Sequence, residues 1–511
     1  AIVGILVMFS RLDLIFLVVI SGIWVVFRGK PIRFLLPLDM VVIFISMTAS
    51  VAFRTGFEAY NQYYAGPAVL AAILSLSVKI ICLYFFGAYQ HPSLKSIWII
   101  IKSTFLALST GTAIITSLAI LSVQLGFDIN FPRSAFIIDW VISVLGIIAV
   151  RLAAYWSGNK NKHPEMQTET PLGQLRMNWK GWFADGRAYY GVVGGALALY
   201  MVFNKVFFGT FSPVSGQIKR WWGSITNTAY ERPASDWSSF FGINSQGSFS
   251  AWKPASDLLI PIGVKLRPYF PGADYVDERY YIAMFIFSIL AVLILMFNIR
   301  HALIKAANLA LVPLFTGCVF QIFSYTNTAY GGAKEWYWVG EMILITLAGS
   351  LFVHLLIRPL QKIKITRLIL EFASITFSVI FAFSFSKHLR ADMPYDTYPN
   401  DLPYMEVIPF LEENTPSGSV IGMTGGGNIG YFIKDRTIVN MDGLINSNDY
   451  FHALQNREGP AYLRQHGLQV VFANIQLLSI PPYYGQFGPY LSNFGGYYGK
   501  GLFYLLDEPK Y

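Results

Sequence analysis

Over the first three quarters of the chain, apolar residues come in long runs separated by short segments where Lys, Arg, Gly and Pro gather. Runs of about 17 to 25 apolar residues are long enough, as helices, to cross a hydrocarbon core of about 30 Å. They cover 1–27, 35–53, 67–88, 97–123, 135–156, 188–208, 280–297, 302–325, 337–357 and 366–386. Ser10-Arg11-Leu12-Asp13 interrupts the first run and reads as a break between two short helices. Beyond about residue 386 the pattern changes to short apolar stretches between turn residues. A helical stretch at 402–414 leads through Pro416-Ser417-Gly418 to a strand at 419–423, and further strands are expected at 437–440, 469–473 and 502–506. Helical stretches between short strands predict a small, mostly parallel sheet.

The expected architecture is a polytopic α-helical membrane protein of about ten transmembrane helices. It divides into a multi-pass domain at 1–386, with a long external loop at about 209–279, and a C-terminal external α/β domain at 387–511. Sidedness comes from the connecting segments. One alternating set holds Arg28, Lys30 and Arg33, then Lys95, the 157–187 loop, Arg300 and Lys305, and Arg358, Lys362, Lys364 and Arg367. That Lys/Arg enrichment assigns the set to the cytoplasm and the other set to the outside. The 209–279 segment and everything after about 387 then fall outside.

Composition agrees with the membrane assignment: 13% of residues are charged and mean hydropathy is +0.47, against about a quarter charged in soluble chains. The net charge of +9 sits in the membrane-embedded part, whereas the chain after 387 carries more Asp and Glu than Lys and Arg. The basic balance is therefore a topology signal and no argument for nucleic acid. Cys82 and Cys318 both fall within apolar runs, so the external domain has no disulfide framework. The His residues are scattered, with no metal-ligand spacing.

Charges inside apolar runs are expensive and are candidates for function. Arg11 and Asp13 are placed near the outer face, where Arg11 suits a phosphate and Asp13 suits the orientation of a donor or an acceptor hydroxyl. The structural alternative is a mutual ion pair that stabilises the helix break. Asp39 and Lys79 lie at similar depth and are expected to form a neutralised structural pair, with a transport relay as the alternative, while Lys102 snorkels toward the cytoplasm. Asp139 and Lys205 lie near outer helix ends. Lys205 precedes the loop Gly209-Thr210-Phe211-Ser212-Pro213-Val214-Ser215-Gly216-Gln217-Ile218-Lys219-Arg220. There a broken turn, the Ser215 hydroxyl and two adjacent cations suit an anionic lipid phosphate, or equally the headgroups of bulk phospholipid.

Gly425-Gly426-Gly427-Asn428-Ile429-Gly430 follows a strand, but no Lys-Ser/Thr pair follows it, and it reads as a tight turn rather than a nucleotide fingerprint. Asp442-Gly443 reads as a turn, with a glycan-facing role as the alternative. The tyrosines between 483 and 505 are read first as packing and second as stacking platforms for sugar rings.

The 209–219 string resembles the G-x-x-x-P-x-S-G-x-x-K loop of bacterial GT-C-type membrane glycosyltransferases. In the same order, Ser10-Arg11-Leu12-Asp13 resembles their (T/S)-R-x-D helix break and Glu335-Trp336-Tyr337 their W-Y helix entry. Gly427–Phe432 and Ile438–Asn446 resemble segments of their external domain. The resemblance spans nearly the whole chain through short motifs. It implies a donor sugar on a polyprenyl-phosphate carrier and a lipid, glycan or protein acceptor, at the outer face and among membrane lipids. The substrate-binding residues would be Arg11, Lys205, Ser215, Lys219, Arg220, Glu335, Trp336 and Tyr337, with Asp13 as the catalytic candidate and no metal ligand. The family's catalytic acid lies in a first external loop that nothing here matches. Because Ala1 opens inside an apolar run, that loop is expected upstream, in a longer protein. The competing expectation is a non-catalytic transporter or envelope assembly protein whose external domain binds a partner.

Overall fold

The computed structural model describes residues 1–90, 96–126, 131–157, 170–225, 227–230, 236–242, 264–265, 268, 276–327, 337–392 and 403–510. Among them, the helices long and apolar enough to cross a membrane are Ile32–Thr55, Phe57–Phe85, Ile97–Ser122, Ala135–Trp156, Pro171–Phe208, Val339–Ile357 and Lys364–Lys387. The protein is thus a polytopic helical protein with a small C-terminal sheet region. Phe372, Phe377 and Phe383 on the last of these helices are each at least 70% exposed. An apolar surface of that kind, with its backbone hydrogen bonds closed within the helix, is what lipid accepts.

Chain contacts divide the molecule into two compact units, Ala1–Tyr200 with Arg232–Leu355, and Met201–Glu231 with Leu356–Tyr511. In the first unit Ile32–Thr55 packs against the helices at 65–85, 135–157 and 311–327. The expected first break occurs at Arg11, whose φ of −156° and ψ of 118° separate the Ile2–Ser10 helix from a short turn that leads into Ile15–Val26.

Several expectations need correction. The 157–187 loop is helical from Pro171 onward, within a helix of 38 residues ending at Phe208; Arg176, Lys180, Asp185 and Arg187 mask its start in a hydropathy reading. The apolar run at 302–325 is two helices, His301–Asn308 and Leu311–Asn327, bent by 69° at Ala310, where φ is 51°. Asp39 does not meet Lys79. Arg151 takes Asp39 through two guanidinium bonds of 2.9 and 2.5 Å, and Lys79 donates to Asp139 at 2.6 Å and to Ser143 at 3.0 Å. Equal depth in a bilayer leaves open which face of each helix a residue occupies, and the faces decide the partners.

The sheet of the second unit has the order β2-β1-β3-β5-β4, with β1 at Val420–Met423, β2 at Thr437–Asn440, β3 at Val470–Ala473, β4 at Leu491–Tyr497 and β5 at Lys500–Leu505. β2, β1 and β3 are parallel, whereas β5 runs antiparallel to β3 and β4 to β5. The sheet is therefore mixed rather than mostly parallel. The Gly-rich β4 gave no strand signal. Ile421, Val471, Phe472 and Leu502 are fully buried at its centre.

Candidate functional site

Arg11, Asp13 and Tyr337 come together in the helical unit. The Arg11 guanidinium donates to both Asp13 oxygens, at 3.1 and 2.7 Å, and lies 4.9 Å from the centre of the Tyr337 ring. The Asp13 carboxylate also accepts from the Tyr325 hydroxyl at 2.7 Å and from Gln321 Nε2 at 3.1 Å, while Gln321 reaches the Tyr337 carbonyl at 2.8 Å. Gln321 and Tyr325 stand four residues apart, on one face of Leu311–Asn327. That helix approaches Ile15–Val26 closely because it carries Gly317 there: a Cβ at this position would lie 2.8 Å from the Leu17 backbone. The side chains of Arg11 and Asp13 remain 25% and 14% exposed, so the protein does not fully enclose the pair.

One turn beyond Tyr337, Glu341 is fully buried, and neither of its carboxyl oxygens has a hydrogen-bond partner among the described residues. Sequence reasoning missed Gln321, Tyr325 and Glu341. The available signal was a polar i, i+4 pair and a lone carboxylate, each within an apolar run.

A second assembly lies in the other unit, where two motifs far apart in sequence meet. The Val214–Ser224 helix places Ile218 and Trp222 in the core. Ile218 fills the space over Gly443, where a Cβ would come within 2.7 Å of its side chain and where φ is +84°. Trp222 stacks on Tyr230 at 3.6 Å with the rings 7° from parallel, and the Tyr230 hydroxyl is 3.0 Å from that of Tyr483. Asp442, 4% exposed, follows β2. Burial pushes its carboxyl up from the ordinary range; the Leu444 N–H, the Asn440 side chain, the Lys219 ammonium and the Gly425 N–H pull it back in part. Burial likewise raises the hydroxyls of Tyr230, Tyr450 and Tyr483.

No family model, curated protein or solved structure matches this chain.

The remaining sequence-predicted residues take different positions. Lys205 donates to the Gly209 carbonyl at 2.8 Å and so closes the end of its own helix. Gln217 ties the loop together through Thr210 Oγ1 at 2.7 Å and the Ser212 carbonyl at 3.1 Å. Ser215 is half-buried in the first turn of the following helix. Lys219 and Arg220 are adjacent in sequence but separated by about 100° around the helix; Lys219 is buried and Arg220 exposed. Glu335 and Trp336 lie outside the described residues.

Chemically, the Arg11 cluster gathers a cation paired with a carboxylate and an aromatic face in one place. The Lys219–Asp442 assembly is more closed, and its buried contacts suit holding the 214–224 helix against the sheet domain.

Proposed function

We propose that the protein is a membrane glycosyltransferase that moves a sugar from a polyprenyl-phosphate carrier to a lipid, glycan or protein acceptor on the external face of a plasma membrane. The observation that supports this reading is the gathering of Arg11, Asp13 and Tyr337 at a helix break, with part of the Arg11–Asp13 pair left open. In the reaction an acceptor oxygen attacks the anomeric carbon, and the bond from that carbon to the carrier phosphate oxygen breaks with inversion. Polyprenyl phosphate departs with the electron pair, and the acceptor proton passes to a carboxylate. Arg11, its Nε–Nη2 edge held by Asp13, lends its positive charge to the phosphate as that charge grows, and Tyr337 carries the ring side of the sugar. Asp13 orients Arg11 and is the carboxylate of the cluster that can face an acceptor hydroxyl. Four hydrogen bonds already on its oxygens suit orientation better than proton removal, and the family resemblance assigns the base to a first external loop that no segment of this chain matches. No resident cofactor or metal is assigned; the lipid-linked sugar is the donor substrate.

The test uses the full-length protein in liposomes with labelled hexose and pentose donors on polyprenyl phosphate. Arg11→Ala is expected to lower transfer on the order of a hundredfold, with Arg11→Lys between it and the wild type. Arg220→Ala tests the 209–220 loop more cleanly than Lys219→Ala, because Lys219 is buried. An active wild type with an unchanged rate in Arg11→Ala would remove this cluster from the site. A wild type that transfers from none of the donors would favour the non-catalytic alternative.

A further inference from the structure

The carboxyl ends of β1 and β3 border a crevice of about 520 Å³. The topology creates it. From β1 the chain crosses to β2 on one side, while β3 lies on the other, so the segments that follow β1 and β3 diverge and leave a gap between them. The antiparallel half of the sheet supplies the third wall. β5 begins beside the end of β3, with Gly501 opposite Ala473, which brings the β4–β5 turn at Tyr498-Gly499 to the crevice. Both residues of that turn have positive φ, 53° and 70°, as a two-residue hairpin turn requires.

The lining has a consistent chemistry. Lys500 is half-buried, its ammonium stands 5.6 Å from the centre of the Phe472 ring, and no ion pair reaches it among the described residues. Burial without an acidic neighbour lowers its pKa. Asn474 accepts the Gln476 N–H through Oδ1, which leaves its amide NH₂ as the group to offer a ligand. Thr424 and Asn428 line the opposite side. Tyr498 keeps 55% of its surface exposed, and a Cβ at Gly427 would meet no atom within 4 Å, so that side is open. A volume of this order holds a small ligand rather than a polymer. A lone ammonium beside amide and hydroxyl groups matches one anionic group rather than a polyphosphate chain, and an exposed aromatic face suits the C–H face of a sugar ring.

We propose that this crevice binds a sugar residue carrying one phosphate or carboxylate, with Lys500 on the anion and Tyr498 under the ring. The site lies within the sheet domain and does not depend on sugar transfer at Arg11.

Calorimetric titration of the full-length protein in nanodiscs tests it, with glucose 1-phosphate, glucuronate, neutral glucose and inorganic phosphate as probes. At least one of the two anionic sugars should bind tenfold or more tightly than glucose and than inorganic phosphate. The stronger of the two names the anion. Lys500→Met should weaken that binding at least tenfold and Tyr498→Ala several-fold. Gly427→Val, which fills the gap from the other wall, should abolish it with the thermal transition of the protein retained. Glucose binding as tightly as the anionic sugars would overturn the proposal, as would affinities unchanged in both Lys500→Met and Gly427→Val.

Discussion

Asp39 and Asp139 lie in the helical unit without solvent exposure, and each is closed by a cation from another helix, Arg151 and Lys79 respectively. Asp442, in the sheet-containing unit, is almost as buried, yet its neighbours are mainly the Leu444 and Gly425 N–H groups and the Asn440 amide, with Lys219 acting through its field. The media differ. Within an apolar bundle Asp39 and Asp139 each take a full opposite charge, while Glu341 has no hydrogen-bond partner among the described residues; at the end of a strand the backbone supplies donors that share the load. Asp13 stands between these cases, with Arg11 as its cation, two neutral donors, and some exposure remaining. Closed pairs fix helix faces against each other, and the Arg11–Asp13 pair is the one of the three that keeps some exposure.

The largest expected effect comes from breaking a closed pair. Arg151→Ala leaves the Asp39 carboxylate buried with its cation gone and should cost about 3–5 kcal/mol, read as lost yield and a lower unfolding midpoint in detergent. The double replacement Arg151→Met with Asp39→Leu should recover most of that loss, because apolar groups of similar size tolerate the site. A single variant as stable as the wild type would show that the pair holds nothing. Asp13→Asn should cost less, about 1 kcal/mol, since Gln321 and Tyr325 can still donate to the remaining oxygen and Arg11 can turn to water. Its transfer activity should nevertheless fall further than its stability. Equal stability losses in Asp13→Asn and Arg151→Ala would erase the distinction between open and closed pairs.

Most of the helical framework was legible, because the length of an apolar run is itself a membrane-crossing signal. What escaped was set by composition or by direction. The start of the Pro171–Phe208 helix was hidden by its charged residues, and β4 by Asn493, Gly495 and Gly496. At the candidate site, the break at Arg11 and the candidacy of Arg11 and Asp13 were legible from their own segment, whereas Tyr337 was a candidate only through the family resemblance. That Gln321 and Tyr325 would close on Asp13 was not, since the partners lie about 300 positions away in the chain and their i, i+4 spacing names a face without naming what it meets. The same holds for Ile218 over Gly443. Both motifs were visible separately, and their contact depends on how the 214–224 helix packs onto the sheet.

The smallest effect concerns Asp442 and is read as a pH dependence. Its carboxyl is raised in the folded protein, so the folded state holds the proton more tightly than the unfolded chain does. Stability from this group is then complete below the unfolded value of about 3.9. It is lost as pH rises from there through the raised folded value, and is level above it. Asp442→Asn keeps an oxygen for the Leu444 N–H, which bonds Oδ1 at 2.9 Å, and removes the charge. At neutral pH the variant should therefore be slightly more stable than the wild type, on the scale of a single hydrogen bond, about 1 kcal/mol. Other carboxylates titrate in the same window, so the quantity to measure is the difference between the two melting-temperature curves from pH 3.5 to 7.5, taken on full-length protein and followed through the Trp222–Tyr230 stack by near-ultraviolet circular dichroism. The difference should grow in favour of the variant as pH rises above about 4. A difference that grows in favour of the wild type would mean that the charged carboxylate is what the site stabilises. Lys219 would then be a full ion-pair partner, and Asp442 would belong with Asp39 and Asp139.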